Sequence, residues 1–148
     1  MREILYRGKR KDNSEWVYGC LVKLGKMSFS DDDRFGICNK AIPVGSGVVY
    51  NLNITEIAPE TIGQYTGVKD KNGMKIFEGD ILECQIWFEY GCYPHSETSY
   101  REVTMPDIYM VNIDQNIEVV GNKFDNPELS KQKNSDRIYA DFNKKDEV

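Results

Sequence analysis

The sequence predicts a mostly β protein built as two small lobes, with one short helix near its C-terminal end. Three observations carry that prediction. Nine Tyr, six Phe and two Trp stand among 148 residues, and aromatic side chains suit a pleated, half-buried surface. Leu82, Cys84, Ile86, Phe88 and Tyr90 alternate strictly with Glu83, Gln85, Trp87 and Glu89, the period of a strand with one buried face. Asn72-Gly73 lies between apolar runs, and both residues tolerate the positive φ of a type I′ hairpin turn.

The elements follow in chain order. Ile4 and Tyr6 alternate with Glu3, Leu5 and Arg7, while Trp16, Tyr18, Cys20 and Val22 form a second period-2 set. The polar stretch Lys9 to Ser14 between them predicts a hairpin. "SFSDDDRFGICNK" reads as a polar loop followed by a short apolar piece. After the Pro-Gly break in "IPVGSG", a strand is expected from Val48 to about Ile54, and Pro59 stops any ladder. Gly79 and Asp80 end one short strand and begin the next. "GCYPHSETSYREVTMPD" reads as a loop or bent hairpin, "IYMVNID" as a strand, and Ile117 to Val120 as the last strand. "DNPEL" opens a helix, with Asn126 as N-cap, Pro127 at the first helical position and Glu128 in the first turn. The remaining tail is charged and weakly patterned, with "RIYADF" its one apolar piece. It is expected to dock on the body or on a neighbouring chain.

Size and charge exclude several classes. A chain of 148 residues buries about two thirds of its unfolded surface, enough to fold without a metal or disulfide. Net charge is −5 and the pI about 5.0. That balance argues against a general nucleic-acid binder, whose affinity comes from cations facing phosphates. "MREILYRGKRK" lacks the apolar run of a signal peptide, and no segment is long and apolar enough to span a membrane. A cytoplasmic location is therefore expected, with Cys20, Cys38, Cys84 and Cys92 reduced.

The two hairpins echo one another. A shift of 59 positions aligns Tyr6 with Tyr65, Gly8 with Gly67, Arg10 with Lys69 and Asn13 with Asn72. With Glu78 as an insertion, Gly19 falls on Gly79 and Leu21 on Ile81. Either the chain repeats a building unit, or two hairpins share turn residues and alternation by common demand.

Each candidate for chemistry has a plainer reading beside it. "GVKDKNG" lacks the spacing of a phosphate loop, so its glycines read as turn residues. Glu60, Asp70, Glu78 and Asp80 crowd one connection and could split their pKa values for acid–base work. The favoured reading is that Asp70 and Asp80 bond backbone amides at turns. Asp31, Asp32 and Asp33 lack the spacing of a calcium loop. Cys92 and His95 stand at a C-x2-H spacing, short of a zinc set without a paired CxxC. Cys20 and Cys84, on apolar strand faces, read as small hydrophobes. No catalytic, cofactor or metal residue is assigned. The candidate interaction residues are the basic cluster Arg7, Lys9, Arg10 and Lys11, flanked by Tyr6 and Trp16 for stacking but more plainly read as a solvated turn; Trp87, on the polar face of its strand, either at an interface or covered by the tail or the 91–116 segment; and Tyr93.

"REILYRGKRKDNSEWVYG", "ETIGQYTGVKDKNGMKIFEGDIL" and "IEVVGNKFDNPEL", in that order, resemble the YopX family of phage and prophage proteins. The resemblance implies an N-terminal β-subdomain, taken as residues 1–57. It further implies a C-terminal SH3-like small barrel closed by a short helix, taken as 58–129, with the charged tail 130–148 beyond it. A phage or prophage origin is also implied, with no established biochemical function and no catalytic residue to carry over. Residues 91–116 match the family pattern poorly, and the tail exceeds it. The leading expectation is a non-enzymatic binding or assembly module, homo-oligomeric, with a host or phage protein as a further partner. No cofactor, nucleic acid or membrane is expected. One alternative is an acidic inhibitor of a host nucleic-acid-binding protein. Another is an enzyme using the carboxylate group or the Cys92–His95 pair.

Overall fold

The computed structural model describes residues 3–25, 32–43, 50–90, 93–104 and 116–130. Its elements are strands joined by turns, one 3-10 turn and one short helix. Every strand pairing given below is antiparallel. The protein is thus mostly β, as the sequence predicts. Contacts group the chain into two units that meet in sequence between Val68 and Lys69.

In the first unit the strands are β1 (Tyr6–Lys9), β2 (Trp16–Leu24), β3 (Arg34–Pro43), β4 (Tyr50–Ile57) and β5, which begins at Gly63 and ends at Lys69. Their order across the sheet is β4-β3-β2-β1-β5. The pairs Tyr6–Gln64 and Arg7–Gly63 tie the start of β5 to β1. The connection at 57–58, where the sequence reading changes domain, therefore lies inside this unit. Pro59–Thr61 forms the 3-10 turn that ends β4's ladder.

The first hairpin forms where its alternation places it. Arg10 N–H donates to Glu15 O at 2.9 Å and Ser14 N–H to Arg10 O at 3.1 Å, with Ser14 in the left-handed region. The core lies on one face of the sheet and centres on Ile37 and Ile57, both essentially inaccessible. Gly8 lets β1 approach, since a Cβ there would stand 2.5 Å from Ile57 Cδ1. A Cβ on Gly19 would stand 2.9 Å from Ile37 Cγ2, so Gly19 faces that core. Its neighbours Tyr18 and Cys20 are exposed. Cys20 is therefore not a packed hydrophobe, whereas Cys84 is buried.

Two further expectations change here. The "polar loop and short apolar piece" runs into a ten-residue strand, β3, which starts at Arg34 and continues past Lys40 to Pro43. Its register shifts between Cys38 and Lys40, where a bulge interrupts the alternation that reveals a strand. The strand expected from Val48 to about Ile54 runs on to Ile57; it is observed from Tyr50, and residues 48–49 lie outside the described residues.

The second unit contains β6 (Lys75–Phe77), β7 (Asp80–Tyr90), β8 (Tyr93–Glu102), β9 (Glu118–Asn122) and helix α1 (Pro127–Ser130). β7 is central in a sheet of order β8-β7-β9. Among the described residues this sheet is open, with β8 and β9 as its edges, and does not close into a barrel. Leu82 and Cys84 are buried while Glu83 and Gln85 reach solvent, the predicted alternation. Ile76, Phe77, Ile81, Val103 and Ile117 complete the core. The bent hairpin expected after Tyr90 is a regular ladder, from Ile81–Glu102 to Tyr90–Tyr93. The strand expected in "IYMVNID" and the tail beyond Ser130 lie outside the described residues.

The Asn72-Gly73 turn exists, but not as type I′. Gly73 has φ +80°, whereas Asn72 is not among the positive-φ residues. Gly73 N–H donates to Asp70 O at 2.9 Å, and Asp70 N–H to Met74 O at 2.8 Å. That is a three-residue loop: a turn led by Asp70, then a left-handed glycine. The first hairpin spends one more residue before its left-handed position, Ser14. The echo thus extends to the aligned Ser14 and Gly73. It ends there, because β2 runs unbroken through Gly19 while the chain turns at Glu78–Gly79.

Helix α1 begins after Asn126, as expected, but that side chain looks backward. Its Oδ1 accepts from Asn122 N–H at 3.4 Å, and Asn122 Oδ1 in turn accepts from the amides of Phe124 and Asp125.

Candidate functional site

The basic cluster is split by the register of the first hairpin. Arg7 and Lys9 lie in β1 opposite Tyr18 and Trp16, while Arg10 and Lys11 begin the turn. The Arg7 guanidinium stacks 4.7 Å from the Trp16 ring centre and Lys9 Nζ stands 5.4 Å from it. Both distances fit cation–π attraction. Only 5% of Arg7 remains exposed. Arg7 is thus a buried strand residue rather than part of a solvated turn.

The other two cations meet carboxylates. Arg10 grips Asp12 with two hydrogen bonds, Nε to Oδ1 at 2.8 Å and Nη2 to Oδ2 at 2.5 Å. This pair raises the Arg10 pKa and lowers that of Asp12. Lys11 Nζ donates to Glu56 Oε1 at 2.9 Å. Arg34 approaches the same carboxylate from β3, with Nε 3.0 Å from Oε1 and Nη2 on Oε2. The Arg34 hydrogen bond first, then that of Lys11, pull the Glu56 pKa down to about 2.

Backbone bonds fix this geometry. Lys9 N–H donates to Thr61 Oγ1 at 2.8 Å, Ala58 N–H to Lys9 O at 2.9 Å and Lys11 N–H to Glu56 O at 3.3 Å. Beside these groups is a cleft of about 590 Å³ lined by Lys11, Asp32, Asp33, Arg34, Phe35, Glu56 and Pro59. Asp33 also pairs with Lys23 at 2.9 Å. Asp31 lies outside the described residues. The acidic run therefore contributes to a surface of mixed sign.

In the second unit, two of the candidate acids are structural. Asp70 Oδ1 accepts from the amides of Asn72 at 2.8 Å and Met74 at 2.9 Å, and Oδ2 from Val119 at 3.1 Å. Burial raises its pKa, but the three amides and Lys71 outweigh that and leave it lowered. Asp80 Oδ2 accepts from Phe77 N–H at 2.7 Å. Both are buried, which the sequence did not reveal. Glu60 sits exposed in the 3-10 turn and Glu78 half-buried in the turn before β7.

Trp87 pairs with Ser96, His95 with Phe88 and Tyr93 with Tyr90 in the β7–β8 ladder. The side chains of Trp87, Tyr93 and His95, and Cys92 altogether, lie outside the described residues. Among the described residues no three metal-ligating side chains gather.

The family model for YopX protein matches residues 5–131. The chain belongs to the YopX family. No curated protein matches it. Its fold is similar to the crystal structure of protein EF1440 from Enterococcus faecalis, with 23% identity and a TM-score of 0.50. That likeness covers 88% of this chain and 99% of the other. At this identity the likeness concerns the fold.

Two residues of this cleft, Arg34 and Glu56, escaped the sequence reading. Arg34 begins the strand hidden by the bulge, and Glu56 lies near the end of β4. The available signals were the Phe35–Ile37 spacing and the alternation of Ile54 with Thr55 and Glu56 with Ile57.

Proposed function

We propose that this YopX-family chain is a non-enzymatic binding module of phage or prophage origin, working in the host cytoplasm and assembling with copies of itself. The observation that carries the reading is the position of β4. Among the described residues it is the terminal strand of the first unit's sheet; the first hairpin engages its outer edge at the Glu56–Ile57 end, and the stretch before that end bears Leu52 at 49% exposure. An edge strand offers unpaired N–H and C=O groups to another strand. A copy of the same edge suffices as partner, because an antiparallel pair across a two-fold axis is self-complementary.

The use of Asp70 and Asp80 on backbone amides supports a non-enzymatic role, since neither is then a ready acid or base. The mixed lining of the cleft favours this reading over an acidic inhibitor, which needs one face of a single sign.

Light scattering on the purified full chain tests the assembly. A dimer or larger species is expected, with Leu52→Lys shifting it toward monomer by placing a charge on the edge. A wild-type chain that stays monomeric at micromolar concentration would sink the proposal.

A further inference from the structure

Cys20 and Cys38 are Cα partners in the β2–β3 ladder, directly opposite each other on adjacent strands. Directly opposed residues in an antiparallel pair have Cα atoms about 4.5 or 5.5 Å apart and Cβ atoms about 4.5–5.5 Å apart. Disulfides span Cα separations of about 4.4–6.8 Å, with Cβ atoms usually about 3.5–4.5 Å apart. The ladder therefore sets the backbone close to disulfide geometry, leaving a small inward adjustment.

Local structure allows that adjustment. The Cys20–Cys38 pair ends the β2–β3 ladder, and the bulge of β3 follows at once, between Cys38 and Lys40. A terminal rung beside a bulge yields more readily than one held on both sides. Cys20 is exposed and Cys38 partly so, hence a small reagent can reach the pair. Both are free thiols in this structure, and Cys38 Sγ donates to Lys40 O at 3.6 Å. Closure then requires Cys38 to leave that carbonyl and turn across to β2. Cys84 contrasts with the pair. It is buried, and burial raises its thiol pKa, making it less reactive.

We infer that Cys20 and Cys38 form an oxidisable cross-strand dithiol, a modification site that closes to an intramolecular disulfide when it meets a small-molecule disulfide oxidant. The exposed Cys20 thiolate attacks one sulfur of the oxidant, forming a mixed disulfide and expelling one small-molecule thiolate. The Cys38 thiolate then attacks the Cys20 sulfur and expels the second. The protein loses two electrons and two protons, and the oxidant is reduced to two thiols. The bond staples β2 to β3 at the bulge and closes the segment between them into a loop.

The test uses the full-length protein, reduced, freed of reductant and incubated with oxidised glutathione at mildly alkaline pH. Non-reducing peptide mass spectrometry should find one intramolecular link joining the Cys20 and Cys38 peptides. The link should carry the loss of two hydrogens and be reversed by dithiothreitol. Cys20→Ser and Cys38→Ser should each stop at a glutathione mixed disulfide on the remaining partner, while Cys84→Ser should leave the link intact. Stable mixed disulfides on both cysteines of the wild-type chain would overturn the inference, as would a link through Cys92 or between chains in place of the Cys20–Cys38 link. A second measurement needs no variant. One equivalent of a trivalent phenylarsenical, which bridges two neighbouring thiols, should protect Cys20 and Cys38 together from alkylation; independent alkylation of the two would also overturn it.

Discussion

Asp70 divides its carboxylate between two pieces of chain. One oxygen organises the turn to Met74 and the other holds the start of β9 at Val119. Asp70→Asn places an amide donor among amide donors, so a loss of about 2 kcal/mol is expected from the urea unfolding midpoint. The charge also gives a pH signature. Because the folded-state pKa is lowered, its stabilisation is present above the unfolded carboxylate range and is lost as pH falls through the folded value. Glu56 obeys the same sign, with a window set by its ordinary value of 4.5 and its folded value of about 2. Denaturant melts of Glu56→Gln should lose the part of the acid destabilisation that the wild type shows across that window. High salt should narrow the difference, since this carboxylate and its cations are partly exposed. An unchanged pH profile would mean that the Arg34–Glu56–Lys11 group contributes nothing in solution.

Turns and strands differed in how openly the sequence declared them. Asn72-Gly73 announced a turn, and its left-handed Gly73 is required by the loop that Asp70 leads. Gly73→Ala should cost about 1 kcal/mol in thermal or urea unfolding, because an L residue is strained in that region. A neutral result would show that the turn can change its conformation. Strand β7 was plain because its described positions from Leu82 to Gln85 alternate between buried and solvent-reaching side chains. Strand β3 was hidden, although it is ten residues long. Gly36 carries no side chain to mark a face, and the bulge beyond Cys38 changes the phase of alternation. The site shows the same divide. Lys11 and Arg10 were visible as charges, but their carboxylate partners were not. Asp12 is local in sequence; Glu56 comes from a strand 45 positions away.

At the scale of the molecule, each unit has its own buried cluster. Ile57 anchors the first and Ile81 the second, both at 0% exposure. Ile57→Ala and Ile81→Ala should each cost about 2–5 kcal/mol, the usual range for emptying a packed site. Hydrogen exchange should locate the damage: Ile57→Ala should speed exchange mainly before Val68, and Ile81→Ala mainly after it. Equal acceleration throughout by either variant would make the chain one cooperative body and refute separate units. Assembly through β4 belongs to this scale too, since an edge exists only once the strand order is set.

The sequence by itself determined the β character, both hairpin turns, the alternation of β7 and the start of α1. All of these are local: they depend on φ tolerance, side-chain period and the needs of a chain end. It also carried the family, in three ordered motifs. Tertiary structure alone decided that Arg7 is buried and stacked on Trp16, that Asp70 reaches β9, that Glu56 gathers Arg34 and Lys11, and that Cys20 pairs with Cys38 across the ladder. Each of these depends on strand register. Register is set by how distant segments bury their apolar faces together, and no single segment records that choice.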